Sequence, residues 1–259
     1  MTLKLLFTSF FALGALQCAA TQDAEKQPKE DLGYAYILPL SILTSKNATE
    51  SETRGVLPRE LLVDESCVPE KLKKAGRNSE KPYTLQIHNG RASKPVLLNK
   101  ANPTLILHAL GETEKPQFKW EIKSPASKEF LTLVFSDLNS EEKWANPTFK
   151  IIDCSAKKVP DGAVLILNYS PNELRIRLGK KRYIVNEREK KIFQTGITEK
   201  LALRVVANNG KRKAFLFKNY VKHKKGYRTV IVVYPKPSSG SYLKVAMTLV
   251  DIPIIPSRK

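Results

Sequence analysis

Apolar residues in this chain recur in short runs, never in long stripes. From Lys81 onward a run appears every 8 to 15 residues, each bounded by Pro, Gly, Asn or Ser. The first seven are Tyr83 to His88, Val96 to Leu98, Thr104 to Leu110, Phe118 to Ile122, Phe130 to Phe135, Phe149 to Asp153 and Ala163 to Asn168. Seven more follow: Glu173 to Leu178, Arg182 to Val185, Lys190 to Gln194, Leu201 to Ala207, Lys213 to Phe217, Arg228 to Tyr234 and Leu243 to Val250. Such spacing predicts many short strands and an all-β sandwich or barrel.

Within the runs the period is that of strands. Leu174, Ile176 and Leu178 fall on one face while Arg175 and Arg177 fall on the other, as in a half-buried strand. Thr229 to Val233 is apolar nearly throughout, which predicts a central strand covered on both faces. Turns at Asn168 to Asn172, Gly179-Lys180 and Asn186-Glu187 predict an antiparallel meander over Val164 to Lys191. Pro160-Asp161-Gly162 is a natural boundary between two β halves, 81–159 and 160–259. The expected fold is an antiparallel β-sandwich, either Ig-like or two stacked β halves.

The N-terminal part reads differently. Lys4 precedes an uncharged run from Leu5 to Leu16 and then Cys18, Ala19 and Ala20, the order of a secretory signal. That run is shorter than the roughly 20 residues that span a bilayer. Cleavage after Ala20 is one route, and lipidation on Cys18 after cleavage before it is the other. Residues 21–80 read as an extended or disordered leader. Within it lie an extended segment at Tyr34 to Leu43, interrupted by Pro39, a first strand at Leu61 to Val63 and a short helix at Pro69 to Ala75.

The stretches "LILNYSPNELRIRLGKKRYIV" (165–185), "KAFLFKNYVKHKKGYRTVIVVYPKP" (213–237) and "YTLQIHNGRASKPVLLNKANPTLILH" (83–108) resemble an uncharacterised family of secreted β-sandwich proteins from Verrucomicrobia-type envelope bacteria. The resemblance implies export and a β-sandwich fold. It carries no activity, ligand or residue role.

Composition changes this picture through charge. The formal net charge is +19, and from Pro171 to the end 22 Lys and Arg face five Asp and Glu, so nearly all of the excess is C-terminal. One cluster is Arg175, Arg177, Lys180, Lys181 and Arg182, and another is Arg188, Lys190 and Lys191. Lys211, Arg212 and Lys213 form a third, and Lys218, Lys222, Lys224, Lys225 and Arg228 a fourth. Such a field attracts polyanions, and the alternative is a solvated face that keeps the protein in solution. Tyr183, Phe193, Phe215, Phe217, Tyr220 and Tyr227 interleave with the cations, either as stacking platforms or as strand packing. Export weighs against nucleic acid as the partner. An anionic envelope polymer, a lipid head group or a partner protein fits better.

Chemistry is sparse. Once Cys18 is set aside, Cys67 and Cys154 remain as candidates for a disulfide in an oxidising compartment. His88, His108 and His223 are the only histidines and none has the spacing of a metal pair, although His88 and His108 could face each other across a sheet. There is no nucleophile elbow, phosphate loop or dinucleotide fingerprint, so no catalytic, metal or cofactor residue is assigned. Asn47-Ala48-Thr49 and Asn168-Tyr169-Ser170 match the N-glycosylation pattern, with ordinary turns as the alternative. The expectation is an exported, non-enzymatic binding or structural protein of the periplasm or outer envelope, or one released from the cell. The alternatives are a carbohydrate- or lipid-acting hydrolase assembled only in the fold, and a module that pairs through a strand edge.

Overall fold

The computed structural model describes residues 32–40, 57–70, 72, 83–99, 104–110, 116–136, 144–195, 200–221, 225–236 and 243–255. Among the described residues sixteen strands carry the fold. The first eight are β1 (Leu32–Leu40), β2 (Glu60–Val63), β3 (Thr84–Gln86), β4 (Val96–Asn99), β5 (Thr104–Leu110), β6 (Pro116–Lys123), β7 (Glu129–Phe135) and β8 (Thr148–Asp153). The second eight are β9 (Ala163–Asn168), β10 (Glu173–Leu178), β11 (Lys181–Val185), β12 (Lys190–Gln194), β13 (Leu201–Asn208), β14 (Lys213–Val221), β15 (Tyr227–Pro235) and β16 (Val245–Pro253). Each expected run corresponds to one of them. The Pro69 to Ala75 helix lies largely outside the described residues, and of the region read as a leader β1 and β2 are built into the fold.

The strands form four sheets of four, and their orders repeat. In the first unit they are β3-β2-β5-β6 and β4-β1-β7-β8. In the second they are β11-β10-β13-β14 and β12-β9-β15-β16, the same order with every strand number raised by eight. In both units the first strand runs parallel to the seventh, β1 with β7 and β9 with β15, so the sandwich is not wholly antiparallel as expected.

Three cores divide the sheets into a stack. Ala35, Ile37, Phe130 and Val134 face Leu61, Leu107 and Trp120 in the first core. The opposite faces of the same strands carry Tyr36, Leu38, Leu131 and Leu133, which meet Leu165, Leu167, Val230 and Val232 in the second. Val164, Ile166, Ile231 and Val233 then turn to Leu174, Ile176, Val205 and Leu203 in the third. The β4-β1-β7-β8 and β12-β9-β15-β16 sheets are therefore the two inner layers, and they pack on each other. Sheets about 10 Å apart make this stack roughly 30 Å deep between its outer sheets. A strand covered on both faces has no solvent side, which is why β7, β9 and β15 are apolar almost without alternation.

The inner contact relates like to like. In the second core Leu131, Leu133 and Phe135 of β7 match Val230, Val232 and Tyr234 of β15 in order, and the Phe135 and Tyr234 rings meet edge to face at 6.4 Å. In the same register Glu129 corresponds to Arg228, and these two form a buried ion pair. Tyr36 and Cys154 lie beside them. The Tyr36 hydroxyl donates to the carbonyl of Pro253 at 3.1 Å, and the Cys154 N–H donates to the carbonyl of Glu129 at 2.9 Å. Burial, reinforced by the Glu129 charge, raises the Tyr36 phenol. Burial pushes the Cys154 thiol up to about 12.

The expected Cys67–Cys154 disulfide is not formed. Cys67 belongs to the first core and Cys154 to the second, so the inner sheet of the first unit stands between them. The Cys67 thiol donates to the carbonyl of Thr104 instead.

The expected meander over Val164 to Lys191 is also corrected. Only β10 and β11 form a hairpin, whereas β9 and β12 pair with each other in the adjoining sheet. The chain changes sheets at Asn168 because that side chain is buried and saturated. Its Nδ2 donates to the carbonyls of Asn172, Val185 and Asn186, and its Oδ1 accepts from the N–H and hydroxyl of Ser170. Asn168 thus serves as the knot of a turn and does not present its amide to solvent as a glycan acceptor. Asn47 lies outside the described residues.

Candidate functional site

The outer face of the β11-β10-β13-β14 sheet holds Arg175, Arg177, Arg182 and Lys218 from the cations that the charge pattern singles out. Alternation along β10 turns Leu174, Ile176 and Leu178 into the third core and leaves Arg175 and Arg177 outside. Pairing register then does what sequence spacing does not. Arg177 lies opposite Arg182 on one side and Arg204 on the other, and Arg204 lies opposite Lys218. The result is a row, Arg182–Arg177–Arg204–Lys218, with one cation on each of four neighbouring strands. Strands about 4.8 Å apart make it roughly 14 Å long.

Like charges directly opposite one another in a sheet are destabilising, so folding alone does not favour this row. Among the described residues no carboxylate pairs with its four members. Arg175, Arg188 and Lys191 each have one instead, in Glu173, Glu187 and Glu189. The hydrogen bond from Arg175, with that from Asn208, holds the Glu173 carboxyl below its usual range. The Arg177 Nε donates to the carbonyl of Gly179 at 3.2 Å. The Arg204 guanidinium sits over the Phe215 ring, 4.7 Å from its centroid.

Between these groups is an open depression of about 290 Å³ lined by Arg177, Ala202, Leu203, Arg204, Lys218 and Tyr220. Tyr220 is 63% exposed and Phe215 64%, both on β14. The two aromatics flank Lys218 along the strand, since Phe215 pairs with Val206 and Tyr220 with Ala202.

The remaining cations do not join one patch. Lys180 and Lys181 stand at the β10–β11 turn, where Lys181 lies opposite Leu178 and so off the face of the row. Lys211, Arg212 and Lys213 stand at the opposite end of the sheet, at the β13–β14 turn. Lys190 and Lys191 belong to β12, the edge of the adjoining inner sheet. Lys225 is exposed at the β14–β15 connection, while Lys222, Lys224 and Cys18 lie outside the described residues. Arg228, grouped by sequence with the surface cations, is fully buried.

Sequence spacing passed over Arg204 because it stands alone in an apolar strand, and only pairing reveals its neighbours. The aromatics divide. Tyr183 and Phe193 pack together at 4.3 Å and Phe217 joins the third core, whereas Phe215 and Tyr220 face solvent.

The equivalent outer sheet of the first unit is not basic. Its face mixes signs, with a Lys119–Glu121 ion pair and His108 bonded to Asp64 at 3.1 Å. Hydrogen bonds from Ser66 and His108 hold the Asp64 carboxyl down at about 2. His88 lies beyond the end of β3, with β2 between it and β5, so the two histidines do not face each other. In the second unit the described carboxylates serve local structure. Asp251, for example, accepts from the Thr229 hydroxyl at 2.8 Å. No helix among the described residues is long and apolar enough to cross a membrane. A scan against protein-family models and a search of curated proteins found no match for this chain.

Proposed function

We propose that this chain is an exported, non-enzymatic envelope protein that binds an anionic polymer or surface through the outer face of its β11-β10-β13-β14 sheet. The observation that carries the reading is the Arg182–Arg177–Arg204–Lys218 row, whose members lie opposite one another without a carboxylate among the described residues. An anion seated on the row relieves the repulsion that folding leaves in place. Export rests on the basic, apolar and small-residue order of the first 20 residues. The mixed-sign face of the first unit makes the basic face a specialisation of one unit.

Pairing through a strand edge has less support. The edge strands β11 and β12 carry Lys181, Arg182, Lys190 and Lys191, and charges of this kind blunt an edge.

The test is retention of the purified protein on heparin and on lipopolysaccharide-coated resin across a salt gradient, beside Arg177→Gln/Arg204→Gln. Salt-sensitive retention that the double variant loses supports the reading. Weak retention, equal in both proteins, refutes it.

A further inference from the structure

We infer that the ligand of this face is an anionic polysaccharide, whose sugar rings lie on Tyr220 and Phe215 while its sulfate or phosphate groups meet Arg177, Arg204 and Lys218. The inference rests on the polyanion reading above and narrows its ligand.

Charge alone needs no aromatic. Yet two of the four exposed large hydrophobic side chains among the described residues are the rings of this face, one on either side of Lys218 on a single strand. Buried in the third core they would add to stability, and facing water they do not. Phe215 also holds Arg204 in place, since the guanidinium rests on the ring and its donors stay free to meet an anion. At Tyr220 the depression offers the outward-facing Ala202 as a small apolar floor beside a ring wall and three cations. Its volume of about 290 Å³ lies just below the usual range for ligand pockets, which suits one sugar residue at a time. The row continues across four strands, too long for a single anionic group and suited to a chain that repeats ring and charge.

Single-stranded nucleic acid also combines rings with phosphates on such faces. The N-terminal signal order places the protein where acidic glycans are the commoner polyanion, so the glycan is the ligand argued here.

The experiment compares four probes by titration: a heparin hexasaccharide, a phosphorylated lipopolysaccharide core oligosaccharide, inorganic polyphosphate and oligothymidylate. Each is tested on the purified protein and on Tyr220→Ala, Phe215→Leu and Arg204→Gln. The rings are exposed, so these variants keep the fold, and circular dichroism checks that they do. Loss of a base from an aromatic platform weakens binding about 5- to 160-fold, and a sugar ring is taken on the same scale. Tyr220→Ala is therefore expected to weaken the preferred oligosaccharide about 5- to 160-fold and leave polyphosphate binding unchanged, while Arg204→Gln weakens both. Whichever oligosaccharide binds more tightly assigns sulfate or phosphate. Oligosaccharide binding that the ring variants leave intact overturns the inference and leaves the charge reading standing. Tighter binding of oligothymidylate overturns it in favour of nucleic acid. No binding of any probe overturns both.

Discussion

Arg228 donates from Nη1 to the Glu129 carboxylate across the contact between the two units, and each residue stands two positions before the first second-core residue of its seventh strand, Val230 or Leu131. Self-packing of a repeated face would set like against like at that position. Opposite charges resolve the clash and also distinguish the two units. Within this site the Arg228 Nε and Nη2 have no hydrogen-bond partner among the described residues.

Removing one member of the pair strands the other charge. Glu129→Gln is expected to destabilise the protein by about 3–5 kcal/mol, whereas Glu129→Leu/Arg228→Met is expected to be close to neutral or stabilising. Urea unfolding of the single and double variants measures the difference.

Stability should fall at both ends of the pH scale, for opposite reasons. Asp64 has a folded pKa lowered from the ordinary value to about 2, so its contribution is present above that ordinary value and is lost as pH falls toward 2. Cys154 has a folded pKa raised from 9.0 to about 12, so its contribution is present below 9.0 and is lost as pH rises toward 12. Tyr36 acts in the same direction as Cys154. Urea midpoints against pH should lose part of the acid limb in Asp64→Asn and part of the alkaline limb in Cys154→Ala.

The two buried thiols should react only after unfolding. With residues 21–259, thiol titration is expected to find neither group at native pH and both in denaturant, with no change on prior reduction. A reagent-resistant pair in denaturant that reduction releases would restore the disulfide.

The cation row should cost stability until it is occupied. Arg177→Thr is expected to raise the thermal midpoint at low ionic strength, by up to about 1 kcal/mol in stability, and the gain should shrink in high salt. Heparin should stabilise the wild-type protein more than the variant, which a thermal melt with and without heparin records.

Asn168 holds the crossing between sheets through five hydrogen bonds. Asn168→Ala leaves the buried carbonyls of Asn172 and Val185 short of a donor and is expected to cost about 2–4 kcal/mol, because unsatisfied buried groups carry the full desolvation penalty. Denaturant unfolding gives the value.

Much of the fold was legible in the pattern of short apolar runs. The alternation of Leu174 to Leu178 marked an outer strand, and the unbroken apolar run of Thr229 to Val233 marked an inner one. Both follow from burial on one face or two, a property local sequence records. Strand partners were less legible. The turn at Asn168 to Asn172 has the composition of a hairpin, and whether a turn joins neighbours or crosses between sheets depends on what its side chains meet.

The sequence by itself determined the strands, the charge asymmetry and the expectation of export, because periodicity, net charge and an N-terminal signal order are properties of adjacent residues. Only the tertiary structure decided that the two units repeat one strand order, that Cys67 and Cys154 lie in different cores, and that Arg228 is buried against Glu129. It alone set Arg204 between Arg177 and Lys218 with Phe215 and Tyr220 beside them. The reason is physical: side chains far apart in the chain become neighbours through strand register and sheet stacking, and a two-residue period says which face a side chain takes but not what stands opposite it.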